Sequence, residues 1–109
     1  MKELTKQQLL QEVLSEQITV ICFFTPMCGT CQVAKRMLEI TKELFPQLTF
    51  GMIDVNYIQE LAVEWEIESV PCLMIFRNGK VEEKIYAFRS VEYLYHLFKQ
   101  YDTTNTPHS

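Results

Sequence analysis

The sequence predicts an α/β domain with a central four-stranded mixed sheet and helices on both of its faces. Three observations lead there. Two apolar runs, Val20 to Phe24 and Cys72 to Phe76, show no alternation with polar residues, which is the pattern of strands covered on both sides. Segments of helical period lie between and around the strands, giving the order α-β-α-β-α-β-β-α. Strand–helix–strand units pair in parallel through right-handed crossovers, whereas Asn78-Gly79 is a two-residue hairpin signal that makes the last pair antiparallel.

Each element has its own local reason. Thr5-Lys6-Gln7-Gln8 reads as a capping box, and Leu9, Leu10, Val13 and Leu14 follow at helical spacing, so a first helix is expected to end near Glu16. Ile18 to Phe24 is β-branched and aromatic, a central strand. Cys31 to Phe45 is the clearest helix. Its polar residues Gln32, Lys35, Arg36, Glu39, Lys42 and Glu43 fall on one stripe, and the apolar remainder predicts broad packing up to Pro46, which ends it. Leu48 to Val55 is the second strand. Asn56 is expected to cap a helix from Tyr57 to Trp65, with Ile58, Leu61, Ala62 and Trp65 on its core face. Cys72 to Arg77 is the third strand, and the more polar Lys80 to Phe88 an edge strand. Ser90 caps a last helix with Val91, Leu94, Tyr95 and Phe98 inward. Residues 102–109 have no apolar side chain and are expected to fray as a disordered tail beyond a single domain at 1–101.

Composition narrows the function. A chain of 109 residues is one domain. A net charge of −4 weighs against general binding to nucleic acid or an anionic membrane. The first twenty residues lack the apolar core of a signal peptide, and no apolar run approaches the length of a membrane span. A cytoplasmic monomer is therefore expected. In a reducing compartment the four cysteines are not a structural disulfide framework; they are reactive, metal-bound, or small buried residues. Cys28-Gly29-Thr30-Cys31 stands where a strand hands over to a helix, and a Cys-x-x-Cys there reads as a redox pair first and a metal clip second. The first turn of a helix favours a thiolate at Cys28 through its unpaired N–H groups. His96 and His108 lie far from the motif in the inferred fold and form no triad or metal site with it.

The order of elements, the Cys28–Cys31 motif after the first strand, Val70-Pro71 before the third, and Phe76-Arg77-Asn78-Gly79-Lys80 at the hairpin together resemble the thioredoxin family, over roughly Leu9 to Phe98. The resemblance implies the thioredoxin fold and a protein-disulfide reductase. It makes Cys28 the attacking and Cys31 the resolving cysteine, and Pro71 a cis proline beside them. Met27, Gly29, Thr30, Val70, Pro71 and Cys72 become the substrate-binding surface, Val70 offering its backbone to an extended substrate. It also implies no cofactor beyond the redox-active Cys28–Cys31 disulfide, oxidised proteins or small thiols as substrates, and a thioredoxin reductase or low-molecular-weight thiol as electron donor.

The departures from the family are specific. Phe24 and Met27 stand where tryptophans usually flank the site. Thr30 replaces a proline, from which a less reducing potential is expected. The family's buried acid falls at Cys22 and its lysine partner at Met52, so both members of a buried ion pair are replaced together, which leaves no stranded charge. Arg36 stands at the helix-kinking proline, and Ala87 at a glycine of the last strand. Cys72 follows Pro71, where a threonine is common, and is expected to line the groove. Two alternatives stay open at this level: a redox-weak binding module that docks partners on Phe24, Met27, Val70 and Pro71, and a metal protein ligated by Cys28, Cys31 and Cys72.

Overall fold

The computed structural model describes residues 1–102. In chain order the elements are β1 (Lys2–Glu3), α1 (Lys6–Val13), β2 (Thr19–Phe24), α2 (Gly29–Lys42), β3 (Thr49–Asp54), a 3₁₀ turn (Val55–Tyr57), α3 (Gln59–Glu64), β4 (Cys72–Arg77), β5 (Lys80–Ile85) and α4 (Val91–Lys99). The strands form one sheet in the order β1-β3-β2-β4-β5. β2 lies parallel to β3 and antiparallel to β4, and β5 closes the far edge antiparallel to β4. The mixed sheet and its hairpin follow the expectation from sequence.

A fifth strand was not expected. Lys2 and Glu3 pair in parallel with Gly51 and Met52. Two exposed charged residues carry no strand pattern, so only the edge of β3 reveals them. The next residue, Leu4, then packs so closely on β3 that a Cβ at position 51 would stand 2.7 Å from its Cδ1; Gly51 makes that approach possible.

Alternation along the central strands splits the core in two. Val20, Cys22, Leu73 and Ile75 face Ala34 and Leu38 of α2 and Leu94 and Phe98 of α4. Ile21, Phe23, Cys72, Met74 and Phe76 face Leu9 and Val13 of α1, with Leu61 and Trp65 packed against them. Trp65 sits between two rings, 5.9 Å from Phe23 and 5.0 Å from Phe76, as expected of a core residue.

Several boundaries differ from the sequence reading, each for a local reason. The Thr5–Gln8 capping box forms in both directions, yet α1 stops at Val13 rather than near Glu16. The β4–β5 hairpin terminates it: the N–H groups of Asn78 and Gly79 donate to the carbonyls of Ser15 (2.9 Å) and Val13 (2.7 Å). Asn56 does not cap the third helix. Buried Asp54 caps the 3₁₀ turn before it, its Oδ1 accepting from the Asn56 N–H at 2.9 Å, and α3 begins only at Gln59, with no side-chain cap. β5 ends at Ile85, which frees Phe88 to turn into the α2–α4 core. α2 ends at Lys42 rather than running up to Pro46 and packs less broadly than its composition suggests: Val33 and Ile40 are exposed, as is Leu44 just past its end. Ser90 caps α4 as expected, accepting from the Tyr93 N–H at 3.0 Å. Asp102, assigned from composition to the tail, is buried; the rest of that expected tail lies outside the described residues. Among the described residues no helix is long and apolar enough to cross a membrane.

Candidate active site

β2 delivers the chain from the middle of the sheet to its carboxyl end, and α2 leaves from there. Between them Cys28 is the N-cap residue of α2, with extended backbone (φ −93°, ψ 107°). A cap side chain accepts from the first helical N–H groups, which have no partner inside the helix. Here the acceptor is sulfur: Cys28 Sγ accepts from the Cys31 N–H at 3.1 Å. Thr30 Oγ1 lies 3.3 Å from the same sulfur, which has no proton to give as a disulfide or thiolate, so the hydroxyl donates. Two donors and the positive end of a 14-residue helix therefore converge on Cys28 Sγ and stabilise negative charge there.

Cys28 and Cys31 are joined as a disulfide, their Cα atoms 5.2 Å apart. The two sulfurs are not equivalent to an incoming substrate. Cys28 is partly exposed, whereas Cys31 is 4% exposed and faces the core. The Val70–Pro71 bond is cis, and the Val70 carbonyl oxygen comes within 4.0 Å of Cys28 Sγ. Clefts open on either side of the pair. One, of about 410 Å³, reaches both cysteines and is walled by Phe24, Met52, Lys35, Arg36 and Glu39. The other, of about 420 Å³, runs between Thr30, Val33 and Met37 of α2, Pro71, and Phe88 and Arg89.

Of the residues singled out from sequence, Cys28, Cys31, Thr30, Val70 and Pro71 come together here. Gly29 is exposed, with open space where a Cβ would stand. Met27, next to Cys28 in the chain, is 94% exposed, an apolar side chain held in solvent. Cys72 does not join them. It is fully buried, paired in register with Phe23, and packs in the α1–α3 core rather than lining the groove. Burial pushes its thiol up to about 11, against a downward pull from Lys84 and from a hydrogen bond with Tyr86. Cys22 is buried in the opposite core, and burial, with a smaller contribution from Cys72, pushes its thiol up to about 12. Its partner in register on β3 is Met52, so the two apolar replacements noted in the sequence are direct neighbours. Among the described residues no group of three or more His, Cys, Asp or Glu could hold a metal ion, so Cys72 does not complete a metal site with Cys28 and Cys31. Sequence reasoning missed Phe88 and Arg89 as groove residues. Their one local signal was their place immediately before the Ser90 cap.

Comparison with known proteins agrees with this geometry. The sequence profile of the family described as Thioredoxin matches residues 1–100. Thioredoxin-like protein YusE of Bacillus subtilis is 44% identical over 100 residues, which are 92% of this chain and 92% of that protein. Thioredoxin H-type of Ricinus communis is 30% identical over 105 residues, 95% of this chain and 88% of its own. Among solved structures, a mutant thioredoxin from Halobacterium salinarum superposes with a TM-score of 0.82 at 25% identity, covering 97% of this chain and 93% of that one. The chain belongs to the thioredoxin family. Its Cys28–Cys31 pair is the redox centre of a thiol–disulfide oxidoreductase that reduces protein disulfides.

Proposed function

We propose that Cys28 attacks and Cys31 resolves. The observation that carries this is the asymmetry of the pair: a partly exposed sulfur receiving two donors at a helix N-terminus, and a buried one a single turn further on. The reduced protein meets a substrate R–S–S–R′. The Cys28 thiolate displaces R′S⁻, which takes a proton from water, and forms the mixed disulfide Cys28–S–S–R. Cys31 loses its proton, attacks Cys28 Sγ and releases RS⁻. Two electrons pass from the protein dithiol to the substrate, and Cys28–Cys31 ends as the disulfide. The two-residue spacing makes the second step effectively unimolecular.

The proton of Cys31 needs a destination. Neither Cys22 nor Met52 supplies a charged acceptor, and the cleft that reaches Cys31 opens past Glu3, Lys35 and Arg36 to solvent. Water takes the proton on this reading, so resolution is slower than with a buried acid in place, without being lost. Met27, Gly29, Thr30, Val70 and Pro71 form the substrate-binding surface, with Val70 presenting its backbone to an extended segment. A thioredoxin reductase or a low-molecular-weight thiol returns the two electrons, and no bound cofactor takes part. The protein acts as a monomer in the cytoplasm, carrying electrons that keep cellular thiols reduced. The Thr30 hydroxyl, donating to Cys28 Sγ where the family has a proline, is expected to set a potential above about −270 mV, to be checked by equilibration with glutathione.

Insulin reduction with dithiothreitol tests the function. The wild-type protein accelerates precipitation of the insulin B chain, and Cys28→Ser lowers the catalysed rate by about a thousandfold or more. Equal rates with and without Cys28 would refute the role given to it.

A further inference from the structure

The cleft beside Pro71 is apolar along Val33, Met37 and Phe88, and of the residues that line it Arg89 alone is charged. Arg89 is held in an unusual way. Its backbone is left-handed (φ 61°), a conformation that non-glycine residues seldom adopt. The next residue, Ser90, is locked as the α4 cap. The guanidinium carbon lies 4.9 Å from the centre of the Tyr93 ring, a cation–π contact that favours this side-chain placement without neutralising the charge.

Among the described residues no carboxylate takes the charge. Among the described residues the ion pairs join the Met1 ammonium to Glu39 and Arg77 to Glu82. Glu92, nearby in the first turn of α4, makes no ion pair with Arg89. The other polar groups lining the cleft are occupied: the Tyr86 hydroxyl donates to the Glu66 carbonyl and accepts from the Glu68 N–H, both at 3.2 Å, and the Thr30 hydroxyl donates to Cys28 Sγ. A protein of net charge −4 thus presents an exposed cation, unpaired among the described residues, in the groove beside its redox pair. A planar guanidinium already stacked on a ring forms paired hydrogen bonds to a carboxylate with less loss of freedom than an unconstrained side chain.

We infer that Arg89 is a specificity-determining residue that selects disulfides carrying a carboxylate beside the attacked sulfur, foremost an acidic side chain next to a cysteine of a protein substrate. This rests on the reductase reading above. The chemistry is unchanged by the selection: the substrate disulfide is reduced to two thiols as the Cys28–Cys31 dithiol becomes the disulfide.

The test is single-turnover reduction of peptide disulfides by the pre-reduced protein, with peptides that differ only in Glu, Gln or Lys beside the cysteine. The wild type is expected to react with the Glu peptide about tenfold faster than with the Lys peptide at low ionic strength. Arg89→Gln brings that ratio towards one, and Arg89→Glu inverts it. Because the readout is a ratio within one variant, a general loss of folding or thiol reactivity cannot imitate it. A second arm compares 5,5′-dithiobis(2-nitrobenzoate), which carries carboxylates, with neutral 2,2′-dipyridyl disulfide. Arg89-dependent preference in the peptide arm supports a protein source of the carboxylate, and preference confined to the small disulfides assigns the site to an anionic small thiol. A Glu-to-Lys ratio near one in the wild type, with no preference in the small-disulfide arm, overturns the inference, as does a preference that survives Arg89→Glu. Failure of the reductase reading looks different: no peptide would then be reduced in a Cys28-dependent manner.

Discussion

The four cysteines form two contrasting sets within one small domain. Cys28 and Cys31 sit where a strand meets a helix, and both can reach a cleft. Cys22 and Cys72 lie on the adjacent strands β2 and β4 and reach none of the clefts that flank the redox pair. The first pair is bonded and the second is free. Register explains why the second set stays apart. Cys22 stands opposite Leu73, and Cys72 opposite Phe23. That offset of one residue sends the two side chains to opposite faces of the sheet, one into each core. The same thiol is therefore a nucleophile at a helix terminus and a small hydrophobe in a strand. Reactivity is set by the charge and solvent around the sulfur, not by the residue type.

The sharpest way to break this comparison is to ask whether the buried thiols react. In the reduced native protein at pH 8, iodoacetamide should modify Cys22 and Cys72 at least about a hundredfold more slowly than Cys28, with all four reacting once the chain is unfolded. Peptide mass mapping reads this directly, and rapid native labelling of Cys72 would restore it to the groove. A pH titration of stability adds to the same test. Both folded thiols are raised, to about 12 and about 11, whereas in the unfolded chain they ionise near pH 8.5. The unfolded state then binds fewer protons, so their contribution to stability is complete below about pH 8.5 and is lost as the pH climbs towards 11. Urea midpoints should fall over that interval, and less so in a Cys22→Ala, Cys72→Ala double variant.

A smaller effect comes from making the buried set resemble the working one. Cys22→Asp places a carboxylate opposite Met52 with no cation to pair it, and should cost about 3–5 kcal/mol in urea denaturation. Adding Met52→Lys should recover part of that loss. If a buried acid does move the Cys31 proton, Cys22→Asp also speeds insulin reduction near neutral pH despite the lost stability; an unchanged rate would leave water as a sufficient acceptor. The smallest effect concerns the exposed set. Thr30→Val removes one of the two donors to Cys28 Sγ, and a single such hydrogen bond is worth about 1 kcal/mol. Attack at pH 7 should slow about two- to tenfold in single-turnover kinetics, with resolution by Cys31 less affected.

Much of this was open to inspection in the chain itself. Unbroken apolar runs at Val20–Phe24 and Cys72–Phe76, the Asn78-Gly79 turn and the Thr5 and Ser90 caps are local signals. Each depends on residues a few positions apart, so backbone sterics and side-chain period fix them without reference to the rest of the molecule. The Cys28–Cys31 motif is equally local, and its family resemblance brought Pro71 and Val70 to it.

What the tertiary structure decided are relations between residues distant in sequence. β1 exists because β3 offers an edge to Lys2 and Glu3. α1 ends at Val13 because hairpin N–H groups more than sixty positions later take its last carbonyls. Cys72 leaves the groove because strand register, a pairing between chains of residues fifty apart, sends it to the other core. Arg89 reaches the cleft of Pro71 because β5 ends early and α4 begins at a fixed cap. Period and propensity specify what a segment becomes, but which surfaces meet is set by packing and register, where one residue of offset exchanges one core for the other.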